Sequence, residues 1–296
     1  MTSPAQKVAL GKVILITGAT DGLGKAAAIL LAERGYRVYA AGRSPEKRAQ
    51  LDQLAQTKNL SLHSIELDVT SDNSVRAAVE KILAEAGAIN VLINNAGLGY
   101  MAVVEELKME DMRQQFETNV FGVLRVTQAV LPHMRERRSG RILMISSVAG
   151  LVSPPTYGAY SASKHALEGL SNSLRLELYP FNIEVILIEP GYIVTNFQQT
   201  ATALAKPYVD AAQSSPYAKI YFGAWGGANK GRGDSKTTPE DCARVMLHAI
   251  ETPSPNPRYG VTPLARTVKF GKRFLTDKML DSILRKKYGV TRDSRS

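Results

Sequence analysis

Tyr160 and Lys164 are the residues whose types and spacing point most directly to chemistry. They lie four positions apart in the stretch Tyr-Ser-Ala-Ser-Lys, so in a helix a phenol and an ammonium would share one face. A cation within about 4–6 Å favours a phenolate and should lower a tyrosine pKa by roughly one to three units from about 10. The same spacing occurs on many solvated helices. If the pair is functional, it predicts a tyrosine that exchanges a proton near neutral pH.

The segments around this pair alternate between short apolar stretches and helical stretches. Near-continuous apolar strands that alternate with helices indicate a buried parallel sheet. We therefore predict an α/β fold: a Rossmann-like, doubly wound parallel sheet of about seven strands with helices on both faces, in a single domain at 8–262. The strands are predicted at 12–17, 36–41, 61–67, 90–93, 141–146, 182–188 and 258–261, and the clearest helices at 22–35 and 239–251.

A glycine-rich turn lies where the first predicted strand passes into the first predicted helix. Residues 17–24 read Thr-Gly-Ala-Thr-Asp-Gly-Leu-Gly. Glycines let the backbone approach a pyrophosphate closely, and the helix start offers free N–H groups and the positive end of its dipole. Such a turn can also be only a tight connection, but its position between strand and helix favours a dinucleotide site. The predicted contacts are Gly18, Thr20, Asp21, Gly22, Leu23 and Gly24.

The end of the second predicted strand should decide which dinucleotide is preferred. An acidic residue there would bind the adenine-ribose diol, whereas a basic residue would bind a 2′-phosphate. Residues 39–44 contain no carboxylate and end in Arg43 and Ser44, and a guanidinium suits phosphate. We therefore predict NADP(H) rather than NAD(H) as the cofactor. The alternative is that Arg43 is a solvated loop residue.

Two further turns are candidates for the adenosine end of this cofactor. Asp68 and Val69 close the third predicted strand, and Asp68 would accept a hydrogen bond from the adenine amino group. An N-cap or turn aspartate is an equally good interpretation. Asn95, Ala96 and Gly97 close the fourth predicted strand and suit a floor beneath the adenosine, although they would also suit a simple turn.

Taken together, these motifs resemble the short-chain dehydrogenase/reductase family over 8–262. The resemblance implies a catalytic tetrad, in which Tyr160 is the acid or base, and Lys164 lowers its pKa and binds the nicotinamide ribose. Ser147 would hold the substrate oxygen, and Asn119 would anchor a water relay. The matching motifs are 17–24, Asp68 with Val69, 94–97, Asn119, Ser147, Tyr160 with Lys164, and Pro190 with Gly191.

The residues themselves agree with these implied roles. Ser147 follows the fifth predicted strand, at the sheet edge where open α/β folds bind ligands, and its hydroxyl can polarise a carbonyl. Strand alternation directs the neighbouring Ser146 into the fold. Asparagine is a poor helix former, so a specific hydrogen bond explains Asn119 better than propensity does. By the resemblance, Thr195 would contact the nicotinamide carboxamide and Ile193 would make the neighbouring backbone contact.

The chain further resembles the branch of this family that contains estradiol 17β-dehydrogenase type 1 and the retinol dehydrogenases, at 95–99, 166–170 and 178–181. That resemblance implies a bulky apolar alcohol or ketone, such as a steroid, retinoid or lipid. The segment 197–236 holds six of the twenty aromatic residues, which predicts a substrate lid over an apolar ligand. An ordinary surface helix with its own small core is the alternative. The hinge glycines would be Gly226, Gly227, Gly231 and Gly233.

Composition narrows the class of protein. The single cysteine, Cys242, cannot form an internal disulfide, no apolar run reaches the roughly 18 residues of a membrane span, and the first twelve residues lack the apolar core of a signal peptide. We therefore expect a cytoplasmic location. No metal is predicted, because the four histidines are scattered without ligand spacing; they are His63, His133, His165 and His248.

The formal charge of +10 is concentrated near the end of the chain, where 258–296 holds eleven Lys or Arg against three Asp. Residues 263–296 are predicted to be a C-terminal extension, and 266–288 to form a basic amphipathic helix. This helix would either contact an anionic membrane peripherally or pack its apolar face on the domain or on a second subunit. A nucleic-acid partner is not expected, because no stacking surface or DNA-reading motif accompanies the charge.

By the family resemblance, the helix that carries Tyr160 continues through Leu167, Leu170 and Leu174 to pack against its mate. A homodimer or homotetramer is therefore expected, with an apolar carbonyl or alcohol as the small-molecule partner. The alternative function is an NADP(H)-sensing binding protein without turnover. A complete tetrad argues against that alternative, because binding alone needs neither Tyr160 nor Lys164.

Overall fold

The computed structural model describes residues 11–227 and 236–292. Within these residues seven parallel strands form one sheet in the order β3-β2-β1-β4-β5-β6-β7, which confirms the predicted doubly wound fold. The order reverses between β1 and β4, which creates a crevice at the carboxyl ends of these strands. The strands are β1 Val13–Ile16, β2 Arg37–Gly42, β3 Leu62–Glu66, β4 Val91–Asn94, β5 Gly140–Ile145, β6 Ile183–Glu189 and β7 Arg258–Gly260.

Helices cover both faces of this sheet, as the alternation of the sequence predicts. They are α1 Gly22–Glu33, α2 Pro45–Thr57, α3 Asp72–Ala86, α4 Met109–Phe116, α5 Gly122–Glu136, α6 Gly158–Leu178, α7 Asn196–Ala211, α8 Ala218–Phe222, α9 Pro239–Glu251, α10 Pro263–Gly271 and α11 Asp277–Tyr288. Shorter 3₁₀ turns lie at Val148–Gly150, Tyr179–Phe181 and Ala212–Ser214, and π-helical turns lie at Glu117–Phe121 and Gly223–Gly227.

Strand alternation produces two cores, one on each side of the sheet. In β1, Ile14 faces a core that includes Leu31 of α1 and Met246 of α9. Its neighbour Leu15 faces the opposite core, which includes Leu167 of α6. Because both faces are covered, the central strands β1 and β4 are buried along their whole length. Leu167 therefore packs inside its own subunit.

The π-helical turn Glu117–Phe121 interrupts a helix that would otherwise run from α4 into α5. No sequence pattern predicted it. Turns of this kind occur frequently at functional sites, and this one contains Asn119, whose side chain is fully buried.

The segment after β6 packs on itself and also borders the main cleft. Its helices α7 and α8 enclose a small core of their own, which includes Tyr208 and Tyr221. The same segment also contributes Phe197 and Trp225 to the wall of the main cleft. Of the predicted hinge glycines, Gly231 and Gly233 lie outside the described residues.

The C-terminal extension forms two helices, α10 and α11, rather than the single amphipathic helix predicted from the sequence. Gly271 ends α10, because glycine is a poor helix former, and α11 begins after Thr276, whose hydroxyl accepts a hydrogen bond from Met279 N at 3.4 Å. Ala265 and Tyr288 anchor the extension by burial in the fold. None of the helices in the described ranges has the length and apolar character that crossing a bilayer requires.

Candidate active site

A cleft of about 1950 Å³ opens beside the loops that follow β1, β4, β5 and β6. This is the crevice created by the reversal of strand order, where open α/β sheets bind ligands. Its volume exceeds the roughly 300–1,000 Å³ typical of a pocket for one small molecule, so a dinucleotide and a second ligand fit together. Every predicted catalytic or cofactor-binding residue lines this cleft except Gly24 and Asn119.

The glycine-rich turn after β1 has the backbone geometry that a pyrophosphate requires. Gly18 and Gly22 adopt φ of +61° and +52°, which side chains rarely tolerate, and a Cβ on Gly18 would lie 2.9 Å from Ala96 Cα. Because these glycines carry no side chain, the backbone N–H groups beside the start of α1 are open to a ligand. The residues present therefore fit a dinucleotide. Gly24 serves packing instead, since a Cβ there would lie 2.5 Å from Gly18 O.

Asp21 links three parts of the cofactor side of the cleft. One carboxylate oxygen caps α1 by accepting a hydrogen bond from Gly22 N at 2.7 Å. The carboxylate also accepts hydrogen bonds from Lys47 Nζ at 2.6 Å and from Asn196 Nδ2 at 2.9 and 3.0 Å. Burial alone would raise the pKa of Asp21, but these hydrogen bonds and the Lys47 charge outweigh it and lower the pKa. Asp21 therefore acts mainly as a structural link.

Two cations lie at the end of the cleft where the sequence predicts that adenosine binds. Arg43 is largely exposed, with its Nη1 3.7 Å from Asp68 Oδ2. The sequence pattern did not single out Lys47, although its position in the first turn of α2, three residues after Ser44, could have indicated it. The Ser44 hydroxyl accepts a hydrogen bond from Lys47 N at 3.2 Å and caps that helix. Arg43 and Lys47 together form a basic rim suited to phosphate.

The two strand-end turns predicted to contact adenosine are held by hydrogen bonds of their own Asp68 and Asn95 side chains. Asp68 Oδ1 accepts hydrogen bonds from Thr70 N and Oγ1 at 2.9 and 2.8 Å, which is the turn geometry left open by the sequence. Asn95 Nδ2 donates to the carbonyl oxygens of Thr17 and Gly18 at 3.0 and 2.9 Å. Asn95 therefore holds the glycine-rich turn in place.

The loop after β6 closes the cleft on its other side. A Cβ on Gly191 would lie 2.1 Å from Thr262 Oγ1, so only glycine fits there. The Thr195 hydroxyl caps α7 and donates to Gln198 Oε1 at 3.0 Å. Ile193 is buried, and its carbonyl accepts a hydrogen bond from Gln198 Nε2 at 2.7 Å. Thr195 thus holds the start of α7 beside the glycine-rich turn.

Tyr160, Ser147 and Lys164 come together on one wall of the cleft. Tyr160 and Lys164 lie in α6, and Ser147 directly follows β5 before the turn Val148–Gly150. Ser147 and Tyr160 both line the cleft, and Ser147 opposes the rise that burial causes in the pKa of the Tyr160 phenol. Ser146 is buried, as predicted. Lys164 Nζ lies 5.7 Å from the centre of the Tyr160 ring and donates to Ile145 O at 2.7 Å. This arrangement can deliver a proton to an oxygen bound between the two hydroxyls.

The pKa values of this pair differ from the sequence prediction. Desolvation raises the pKa of Tyr160 to about 12, although Ser147 opposes the shift. Desolvation also lowers the pKa of Lys164 to about 8, against the opposing charge of Glu168. The predicted lowering of the tyrosine pKa is therefore wrong for this structure, because burial disfavours the charged form of both groups.

Asn119 is placed behind the cleft wall rather than in it. Its side-chain amide accepts a hydrogen bond from Leu98 N and donates one to Leu98 O, both at 2.9 Å. It also donates to Ser163 Oγ at 3.1 Å. Asn119 therefore joins the loop after β4 to the helix that carries Tyr160. Gln115 supports the same loop by donating to Leu98 O at 2.8 Å, a contact that the sequence did not reveal.

A buried charge cluster lies one helical turn from Lys164. Glu168 and Glu189 are both buried, and one Arg258 nitrogen contacts Glu168 Oε2 and lies 2.8 Å from Glu189 Oε1. Lys269 of α10 lies 3.9 Å from the other Glu189 oxygen. Burial raises the pKa of Glu168, and the nearby Glu189 raises it further, whereas Arg258 lowers it. The charge of Arg258 therefore offsets the free-energy cost of burying two neighbouring carboxylates.

Three known proteins are similar to this chain in sequence. The chain is 44% identical to an uncharacterized oxidoreductase of Bacillus subtilis, over 71% of this chain and 75% of that protein. It is also 44% identical to a 3-ketodihydrosphingosine reductase of Bacteroides thetaiotaomicron, over 63% of this chain and 65% of that protein. Retinol dehydrogenase 8 of Bos taurus is 36% identical, over 86% of this chain and 83% of that protein.

Solved structures and a family profile agree with these relatives. A short-chain dehydrogenase from Streptomyces avermitilis superimposes with a TM-score of 0.75 at 31% identity, covering 95% of this chain and 98% of that one. A gluconate 5-dehydrogenase from Burkholderia cenocepacia in complex with NADP and tartrate gives 0.71 at 26% identity, covering 87% and 96%. The profile described as short chain dehydrogenase matches residues 12–205. The chain therefore belongs to the short-chain dehydrogenase/reductase family of oxidoreductases.

Proposed function

We propose that this protein is an NADP(H)-dependent oxidoreductase that interconverts a ketone or aldehyde with the corresponding alcohol on a bulky apolar substrate. The observation that supports this most strongly is the convergence of Tyr160, Ser147 and Lys164 in the same cleft as the glycine-rich turn. A binding protein would need only the turn. An NADPH-consumption screen over steroids, retinal, 3-keto lipids and small aldehydes tests the proposal, and turnover of none of them would contradict it.

Each of the three residues Ser147, Tyr160 and Lys164 has its own role in the proposed reaction. A bound nicotinamide supplies or accepts the hydride. The Ser147 and Tyr160 hydroxyls hold the substrate oxygen, and Tyr160 donates its proton as negative charge develops on that oxygen. The protonated Lys164 lies beside the ring and favours this transfer by stabilising the resulting phenolate. In the oxidative direction Tyr160 accepts the proton instead.

The substrate class is inferred from the apolar part of the cleft. Its wall includes Met101, Val152, Phe197, Leu204 and Trp225, which offer a surface for a large apolar molecule. Two relatives named above are, by their names, a 3-ketodihydrosphingosine reductase and a retinol dehydrogenase. We therefore favour a lipid-like, retinoid or steroid carbonyl, with the segment α7–α8 serving as a lid.

The basic rim at the adenosine end supports the preference for NADP(H). Replacing Arg43 with alanine should weaken NADPH binding by about tenfold or more, because a charge-assisted hydrogen bond contributes about 1.5–3 kcal/mol. NADH binding should change little, since NADH has no 2′-phosphate. Fluorescence titration of both cofactors measures this effect. Lys58→Ala, at the other end of α2, is the matched control, and an equal loss for NADH would contradict the assignment.

The rate of carbonyl reduction should depend on pH through Lys164. Reduction needs both Tyr160 and Lys164 in their protonated forms. Tyr160, with a pKa of about 12, stays protonated at neutral and mildly alkaline pH, whereas Lys164, with a pKa of about 8, loses its proton as the pH rises through that value. We expect kcat/KM to be level below about pH 8 and to fall as Lys164 loses its proton above it. A profile that stays level to about pH 10 would contradict this assignment.

The alternative function is an NADP(H)-sensing binding protein without turnover, and the activity screen separates the two.

For the quaternary state we propose a homodimer or homotetramer. Leu176 and Tyr179, near the end of α6, are largely exposed apolar residues that such an interface could cover.

A further inference from the structure

The C-terminal extension presents large apolar side chains to solvent. Phe270 and Phe274 are 66% and 70% exposed, and their ring centres lie 5.2 Å apart. Leu264 of α10 and Met279 and Ile283 of α11 are also exposed. We refer to these five side chains, with the lysines and arginines of 263–292, as the extension surface. Exposed aromatic and aliphatic side chains grouped on one short segment usually mark an interaction site.

The charge of the extension surface identifies the kind of partner it suits. Residues 263–292 hold nine Lys or Arg and two Asp, a formal net charge of +7. An anionic bilayer offers both an apolar interior for the exposed side chains and negative headgroups for the cations. A second copy of the chain would instead bring two strongly positive surfaces together, which is unfavourable.

The extension surface also adjoins the cleft. Leu264 lines the cleft and is exposed, while Lys287 and Tyr288 of α11 line the cleft beside it. Lys272 fixes α10 against the loop that follows Ser147, because its Nζ donates to Leu151 O at 2.6 Å. A bilayer in contact with this surface would therefore lie close to the cleft.

We propose that the extension surface docks the protein on anionic phospholipid bilayers, with Phe270 and Phe274 entering the interface and the surrounding lysines and arginines contacting headgroups. Docking itself does not depend on the proposed reaction. Its expected consequence, that an apolar substrate reaches the cleft from the bilayer, does rest on that proposed function. The two are separable because docking is measured without substrate or cofactor.

The test is flotation of the full chain with vesicles of phosphatidylcholine alone and with vesicles in which about a third of the lipid is phosphatidylserine. At low salt we expect at least about tenfold stronger binding to the anionic vesicles, and loss of that difference at high salt. The double change F270S/F274S and the double change K278Q/K286Q should each weaken binding by about tenfold or more.

Matched controls are chosen from other surfaces of the molecule. V104S/M109S removes exposed apolar residues in and just before α4, and R76Q/R135Q removes exposed cations of α3 and α5, so both should bind vesicles like the unaltered protein. Equal binding to both kinds of vesicle, or equal losses in controls and test variants, would overturn the proposal. A molar mass by light scattering that falls in F270S/F274S would also overturn it, because the surface would then be covered by a second copy.

Discussion

Replacing Tyr160 with phenylalanine should lower kcat for carbonyl reduction by on the order of 10³-fold, because a positioned general acid contributes roughly 10²–10⁴-fold. The ring remains to pack against Phe197, whose ring centre lies 5.6 Å away, so the fold should be unchanged. Only the hydroxyl that donates the proton is lost. Steady-state kinetics with a substrate from the screen measures the effect.

Two controls make this result specific to chemistry. NADPH affinity of Tyr160→Phe should stay within about threefold of the original, because ground-state cofactor binding does not use the phenol proton. Tyr179→Phe removes a hydroxyl from an exposed tyrosine just beyond α6 and should leave kcat unaltered. If Tyr160→Phe retains more than about a tenth of the activity, Tyr160 is not the proton donor.

Replacing Arg258 with methionine should destabilise the protein by about 3–5 kcal/mol, the range found when one partner of a buried ion pair is removed. The change leaves Glu168 and Glu189 buried beside each other without the guanidinium that contacts both. Chemical denaturation, monitored by the midpoint and its slope, measures the loss.

A second substitution tests whether the loss is electrostatic. Adding Glu189→Gln to Arg258→Met removes one of the two buried charges and should recover a substantial part of the stability. Arg244→Met, which breaks an exposed ion pair with Asp241, is the matched control and should cost no more than about 1 kcal/mol. Equal losses in the Arg258 and Arg244 variants would mean that the buried cluster is not held together by Arg258.

The features that the sequence predicted correctly depend on short-range rules. The strand from 12–17 was recognisable because β1 is apolar on both faces, and the turn that follows it because Gly18 and Gly22 need positive φ. Tyr160 and Lys164 were placed on one helix because their spacing matches one turn.

The features that the sequence did not predict depend on distant contacts. Arg258 meets Glu168 and Glu189 across 90 and 69 residues of chain, which no local pattern encodes. The pKa of Tyr160 was predicted in the wrong direction because the spacing gives the nearby charge but not the burial, and burial is the larger effect. The π-helical turn that holds Asn119 against Leu98 and Ser163 likewise depends on contacts between separate parts of the chain.

In the proposed reaction a hydride moves between a nicotinamide and a carbonyl carbon while Tyr160 supplies the proton. The most direct test of this reaction is to supply NADPH deuterated at the transferring position together with a ketone from the screen, and to analyse the product by mass spectrometry. We expect an alcohol with one deuterium at the former carbonyl carbon, formed by the unaltered protein and not measurably by Tyr160→Phe. An alcohol without that deuterium, or equal labelling by both proteins, would contradict the proposed reaction.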